Sequence, residues 1–127
     1  MRIQTLFLLL LFYSCAPETI RFESDNIRLN GDAQTYELHA NIVISNFWVY
    51  EWTYDDNGTL TKNITPLPFN HSFYCGDWYS INRGNQSSVL NLLVKENSSG
   101  KIRKLTIEAN SRGIGTEVNI TQDIVGI

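Results

Sequence analysis

The apolar residues of this chain recur at every second position. From Gln34 they fall at Tyr36, Leu38, Ala40, Ile42 and Ile44, with Glu37, His39 and Asn41 between them. Side chains alternate across an extended strand, so this spacing predicts a long half-buried strand whose face switches near Val43. Ile20 and Phe22 flank Arg21 in the same way, and Ile27-Arg28-Leu29 precedes the turn Asn30-Gly31-Asp32, which predicts two short strands upstream. Downstream, the run VLNLLV from Val89 is one strand. The segment Ile102 to Ala109, with Leu105, Ile107 and Ala109 opposite Lys104, Thr106 and Glu108, is a second, and Val118 and Ile120 alternating with Asn119 and Thr121 mark a third. The polar clusters Asn97-Ser98-Ser99-Gly100 and Ser111-Arg112-Gly113 are the turns between them.

The segment Phe47 to Tyr54 is the most unusual. Trp48, Tyr50, Trp52 and Tyr54 lie on one side of a strand, and Phe47, Val49, Glu51 and Thr53 on the other. If the aromatic side faces inward it builds the core, as a tryptophan does on the third strand of immunoglobulin-like domains. If Phe47 and Val49 face inward, the row is an open platform of the kind a pyranose ring stacks on, and Trp48, Tyr50, Trp52 and Tyr54 are candidate ligand-binding residues. The rarity of large exposed apolar patches favours burial. Asp55-Asp56-Asn57-Gly58 predicts a hairpin with a type I′ turn and a return strand from Thr59 to Ile64. It lacks the glutamate of a calcium loop. Pro66 and Pro68 mark a loop before a short strand, Ser72 to Cys75. Cys75 reads as a small buried hydrophobe, because no histidine stands at a spacing that would activate it.

Composition narrows the function classes. The formal net charge is −3, and no basic patch with interleaved aromatics exists, which argues against nucleic-acid binding. His39 and His71 lie apart, without acidic or thiol partners at ligand spacing, so neither a metal site nor a cofactor is expected. No nucleophile, base and orienting group can be assembled, and Asp55-Asp56 are adjacent, not facing each other across a cleft of about 5 to 9 Å, so the chain is not expected to be an enzyme.

At the N-terminus, Met1-Arg2 is followed by the apolar run Leu6 to Tyr13 and then Ser14-Cys15. A charged start, a short apolar stretch and a small residue describe a secretory signal peptide, since a bilayer span needs about 20 apolar residues. Cys15 at this place resembles the bacterial lipoprotein signal. That resemblance implies cleavage before Cys15 and its acylation, with residues 1–14 as signal peptide, 15–18 as lipidated cysteine and short tether, and 19–127 as one domain. Partnership with a membrane through the lipid, and a place in the cell envelope at the outer membrane or cell surface, would follow. Cys75 would then be the remaining thiol, with no intrachain disulfide. Asn57, Asn63, Asn70, Asn85, Asn97 and Asn119 each begin an N-x-S/T triplet, which in a bacterial lipoprotein carries no glycan.

The C-terminal block resembles the second half of a BACON domain, the immunoglobulin-like module of Bacteroidetes lipoproteins and glycan-degrading enzymes. The resemblance is carried by Trp78 and Ser80, the strand Leu90 to Val94, Glu96-Asn97, Gly100 and Arg103, the strand Leu105 to Ile107, and Val118 to Ile120 closing on Thr121-Gln122. Upstream, Ile20-Arg21-Phe22, Asp32-Ala33 and the strand into Asn46 and Trp48 fit more loosely, and residues 55–76 stand as an insertion between the two tryptophan-bearing segments. The resemblance implies an all-β, immunoglobulin-like antiparallel sandwich of about seven to nine strands and a role in carbohydrate binding. Two functions are therefore expected: a non-catalytic, membrane-anchored glycan-binding lipoprotein, or an assembly component that contacts another envelope protein.

Overall fold

A computed structural model describes residues 19–65, 73–84 and 88–126. The expected signal peptide, Cys15, Pro66, Pro68, His71, Asn70 and Asn85 lie outside them. The described residues form nine strands: β1 Asn26–Leu29, β2 Gln34–His39, β3 Asn46–Tyr54, β4 Leu60–Ile64, β5 Phe73–Cys75, β6 Tyr79–Arg83, β7 Val89–Val94, β8 Arg103–Ser111 and β9 Ile114–Gln122. They make a five-stranded sheet in the order β1-β9-β8-β3-β4 and a four-stranded sheet in the order β2-β7-β6-β5. All pairings are antiparallel except β1 with β9. This is an immunoglobulin-like sandwich, with strands that switch sheets between hairpins. Among the described residues no helix is long and apolar enough to cross a membrane.

Alternation builds the core. Phe47 and Val49 of β3, Leu105, Ile107 and Ala109 of β8, and Val118 and Ile120 of β9 point from one sheet onto Leu38, Ile81, Leu90, Leu92 and Val94 of the other. Tyr74 of β5 crosses the gap: its ring packs on Phe47 at 5.0 Å, and its hydroxyl donates to the Phe47 carbonyl at 2.8 Å. Arg83 makes a second tie between the sheets, donating to the carbonyls of Ile44 at 2.6 Å and Ser45 at 3.0 Å.

One end of the sandwich is closed by a polar knot. Asn97 is fully buried, and its side-chain amide donates to the carbonyls of Lys101 and Asp123 at 2.8 and 3.1 Å. Its backbone bonds to Gly31 and Val125. Gln122, also fully buried, donates to the Lys95 carbonyl at 2.9 Å. Arg103, paired with Gln122 across β8 and β9, lays its guanidinium over Trp78 at 5.2 Å. Gly31 has no room for a side chain, since a Cβ there would lie 2.2 Å from the Val125 nitrogen.

Several sequence expectations need correction. The strand from Gln34 ends at His39, and Ala40 contributes only a bridge to Phe22. The segment Ile20 to Phe22 is thus a single bridge, not a strand, although both apolar residues are buried. The β3–β4 turn is not type I′: Gly58 has φ +78°, but Asn57 is not in the left-handed region. The Asp55 amide bonds to the Thr59 carbonyl instead, which leaves a three-residue loop whose last residue is left-handed. The Asp55 carboxylate caps that loop by accepting from the Asn57 and Thr59 amides. Cys75 is exposed, because Tyr74 takes the inward position of this short edge strand and the pleat turns its neighbour out.

Two measurements check this packing. In urea denaturation, Phe47→Ala is expected to cost about 3 to 5 kcal/mol, whereas Trp48→Ala, one residue along and facing out, costs about 1 kcal/mol. Burial pushes the phenols of Tyr74 and Tyr79 above their ordinary value. The unfolded chain therefore loses these protons first, near pH 10. Stability from this source is complete below about pH 10 and falls as pH rises toward the folded values. The urea midpoint should accordingly be level between about pH 8 and 10 and decline above.

Candidate functional site

Because Phe47 and Val49 face the core, Trp48, Tyr50, Trp52 and Tyr54 stand on the outer face of the five-stranded sheet. The favoured burial of this row is thereby corrected, and the aromatic platform is what the pleat produces. A sandwich core two sheets thick is filled by the Phe47 side, and Glu51, on that inner side, closes the rim by accepting from the Trp78 indole at 2.7 Å.

Cross-strand register sets what surrounds each ring. Trp48 lies opposite Glu108, Tyr50 opposite Thr106 and Ile64, Trp52 opposite Lys104 and Lys62, and Tyr54 opposite Leu60. The Trp52 indole donates to the Thr106 hydroxyl at 2.9 Å, and Thr106 in turn donates to Asn119 on β9 at 2.7 Å. The Tyr50 hydroxyl donates to Glu108 at 3.1 Å. Its phenol is raised above the usual range, first by desolvation, then by this bond and by the charges of Glu108 and Glu117.

The four rings are not equivalent. Lys62 stands over Tyr50 at 4.4 Å, Lys104 over Trp52 at 4.5 Å and Lys101 over Tyr54 at 4.7 Å. A ligand stacking on those faces must displace an ammonium held by about 0.5 to 1 kcal/mol. Among the described residues no cation covers Trp48. It lines instead a depression of about 430 Å³ with Glu108, Ala109, Asn110, Gly113, Gly115, Thr116 and Glu117. Gly115 leaves the space open: its place on the outer face, beyond Glu117, carries no side chain.

The predicted row thus supplies one open stacking face, at Trp48, and three covered ones. Sequence reasoning missed the residues of β8 and β9 that complete the depression. The signal was present in the tight turn at Arg112-Gly113, where φ is 53° and 82°. Such a turn fixes register, and pairing Ser111 with Ile114 places Glu108 opposite Glu117 and Asn110 opposite Gly115. The two histidine and cysteine candidates do not join the site: His39 bonds to Glu37 at 3.0 Å on the other sheet, and Cys75 lies on that sheet's edge strand. Among the described residues no group of three His, Cys, Asp or Glu is placed to hold a metal ion.

No family model matches the chain, and no curated protein matches it. Solved structures do. One is an NMR structure of a protein from Bacteroides thetaiotaomicron, with a TM-score of 0.58 at 12% identity, covering 87% of this chain and 92% of that one. Another is the titin M3 domain, with a TM-score of 0.49 at 9% identity, covering 86% and 99%. The first likeness, together with the strand order, gives the fold: a two-sheet, immunoglobulin-type β-sandwich.

Proposed function

We propose that this protein is a non-catalytic, membrane-anchored binding lipoprotein that takes a glycan on the outer face of its five-stranded sheet. The observation that carries the reading is the Trp48 ring, which no cation covers among the described residues, beside a depression that Glu108, Asn110 and Glu117 also line. A pyranose lays its C–H face on an aromatic ring while its hydroxyls meet donors and acceptors at the ring's edge. Asn110, Glu108 and Glu117, on the same outer face, supply those groups here. The resemblance to BACON domains points to the same ligand class, and acylation at Cys15 would hold the domain in the cell envelope.

The alternative is an assembly component. It draws support from β4, an edge strand whose five residues are all exposed, Ile64 at 56%. An unpaired edge can accept a strand from a partner. Lys62 in its centre works against that, since edge lysines discourage strand pairing.

Tryptophan fluorescence separates the two. Titration with oligosaccharides should quench emission of the wild-type protein, and Trp48→Ala should remove the response, with at least a tenfold loss of affinity, about 1.4 kcal/mol. Trp52→Ala should retain binding. Gly115→Leu is the cleaner probe, because a Cβ at Gly115 meets nothing nearer than the Ala109 carbonyl at 3.6 Å. The variant should fold normally and lose binding by filling the depression. Absence of quenching across a glycan array would favour the assembly reading.

A further inference from the structure

Building on the glycan reading, we propose that the Trp48 depression selects a cationic sugar, an amino sugar whose ammonium sits against the Glu108–Glu117 carboxylates while its ring lies on the indole. Glu108 and Glu117 are direct cross-strand partners on β8 and β9. Like charges in that position cost stability, so the pair is an electrostatic liability unless a cation relieves it. Relief within the protein is one-sided. Lys62 approaches Glu108 at 3.6 Å, and the Tyr50 hydroxyl donates to its other oxygen. Glu117 is exposed and has no ion-pair partner among the described residues.

The surrounding rings sharpen the contrast. On the same face, each of Tyr50, Trp52 and Tyr54 has a lysine ammonium over it. Trp48 has the same aromatic character and the more acidic neighbourhood, yet among the described residues no lysine covers it. An ammonium brought by the ligand would occupy the place that lysines fill along the rest of the row, held by the ring face and by two carboxylates. A neutral hexose or an N-acetylated sugar could use the ring but would leave the charge of Glu117 uncompensated. Asn110 remains for the sugar hydroxyls.

The experiment compares glucosamine oligomers with N-acetylglucosamine oligomers of the same length by tryptophan fluorescence, at low salt and mildly acidic pH, where the sugar amines are protonated and the glutamates still ionised. The expected result is at least about tenfold tighter binding of the amino form, a gap that narrows at high salt because the site is solvent-accessible. Glu117→Gln should bring the two affinities together by weakening the amino form, and Trp48→Ala should remove both. Equal affinities in the wild-type protein overturn this inference and leave the glycan reading standing. Binding of neither oligomer, with no response on a glycan array, overturns both. Glucosamine binding that survives Trp48→Ala but disappears in Glu117→Gln is attraction by charge alone and also overturns the proposed seat. If Glu117→Gln lowers the melting temperature, the salt series on the wild-type protein decides the same question.

Discussion

The strict alternation of side chains along β3 is the constraint from which the rest of this molecule follows. One strand must fill a core on one side and meet water on the other, and no intermediate arrangement exists, because a shift by one residue exchanges every position. With Phe47 anchored under Tyr74 and Val49 buried in the core, the tryptophans and tyrosines of the same strand have nowhere to go but out. The protein then manages the exposed rings with charge: lysines from β4, β8 and the turn before β8 cover three of them, and hydroxyl and carboxylate groups of β8 take the polar tips of Tyr50 and Trp52. The aromatic row is thus a solvated surface with one gap in its cover.

A second constraint closes the opposite rim. Asn97 and Gln122 are polar groups at full burial: Asn97 is bonded through both its amide nitrogen and its oxygen, while Gln122 is bonded through its nitrogen and its Oε1 has no partner among the described residues. The Asn97 side-chain amide satisfies carbonyls of its own loop before β8 and of the segment after β9, and its backbone N–H donates to Gly31, so one residue holds together three stretches far apart in sequence. The same burial bars Asn97 from carrying a glycan, whatever its N-x-S triplet. The indole of Trp78 and the guanidinium of Arg103 stack beside this knot. The residues that carried the sequence resemblance, Trp78, Asn97, Arg103 and Gln122, are therefore one spatial cluster, and their work is structural.

Much of the fold was legible because alternation is a local signal: β1, β3, β4, β7, β8 and β9 stand where the pattern places them. What was not legible depended on distant partners. Which side of β3 faces inward is decided by the opposite sheet, not by the hydrophobicity of either side, and the rarity of exposed patches pointed the wrong way. Cys75 went wrong for the same reason, since a three-residue edge strand offers no period to read. The turn after Asp55 was placed correctly but given the wrong geometry, because the Asn57-Gly58 pair is compatible with one left-handed residue as well as two. Half of the candidate site was visible as the aromatic row. The other half required pairing β8 with β9.

The segment 55–76, set against the BACON pattern as an insertion, has its described strands at the outer margins of the sandwich. It supplies β4 at one edge of the first sheet and β5 at one edge of the second. Between them these strands contribute a single large core side chain, Tyr74, and leave the β3–β8–β9 register untouched. Placement at the edges leaves the pairing of the central strands intact, while Tyr74 ties the segment to the core through Phe47. Lys62, on the edge strand β4, also tunes the chemistry of the neighbouring outer face: it covers Tyr50 and partly neutralises Glu108.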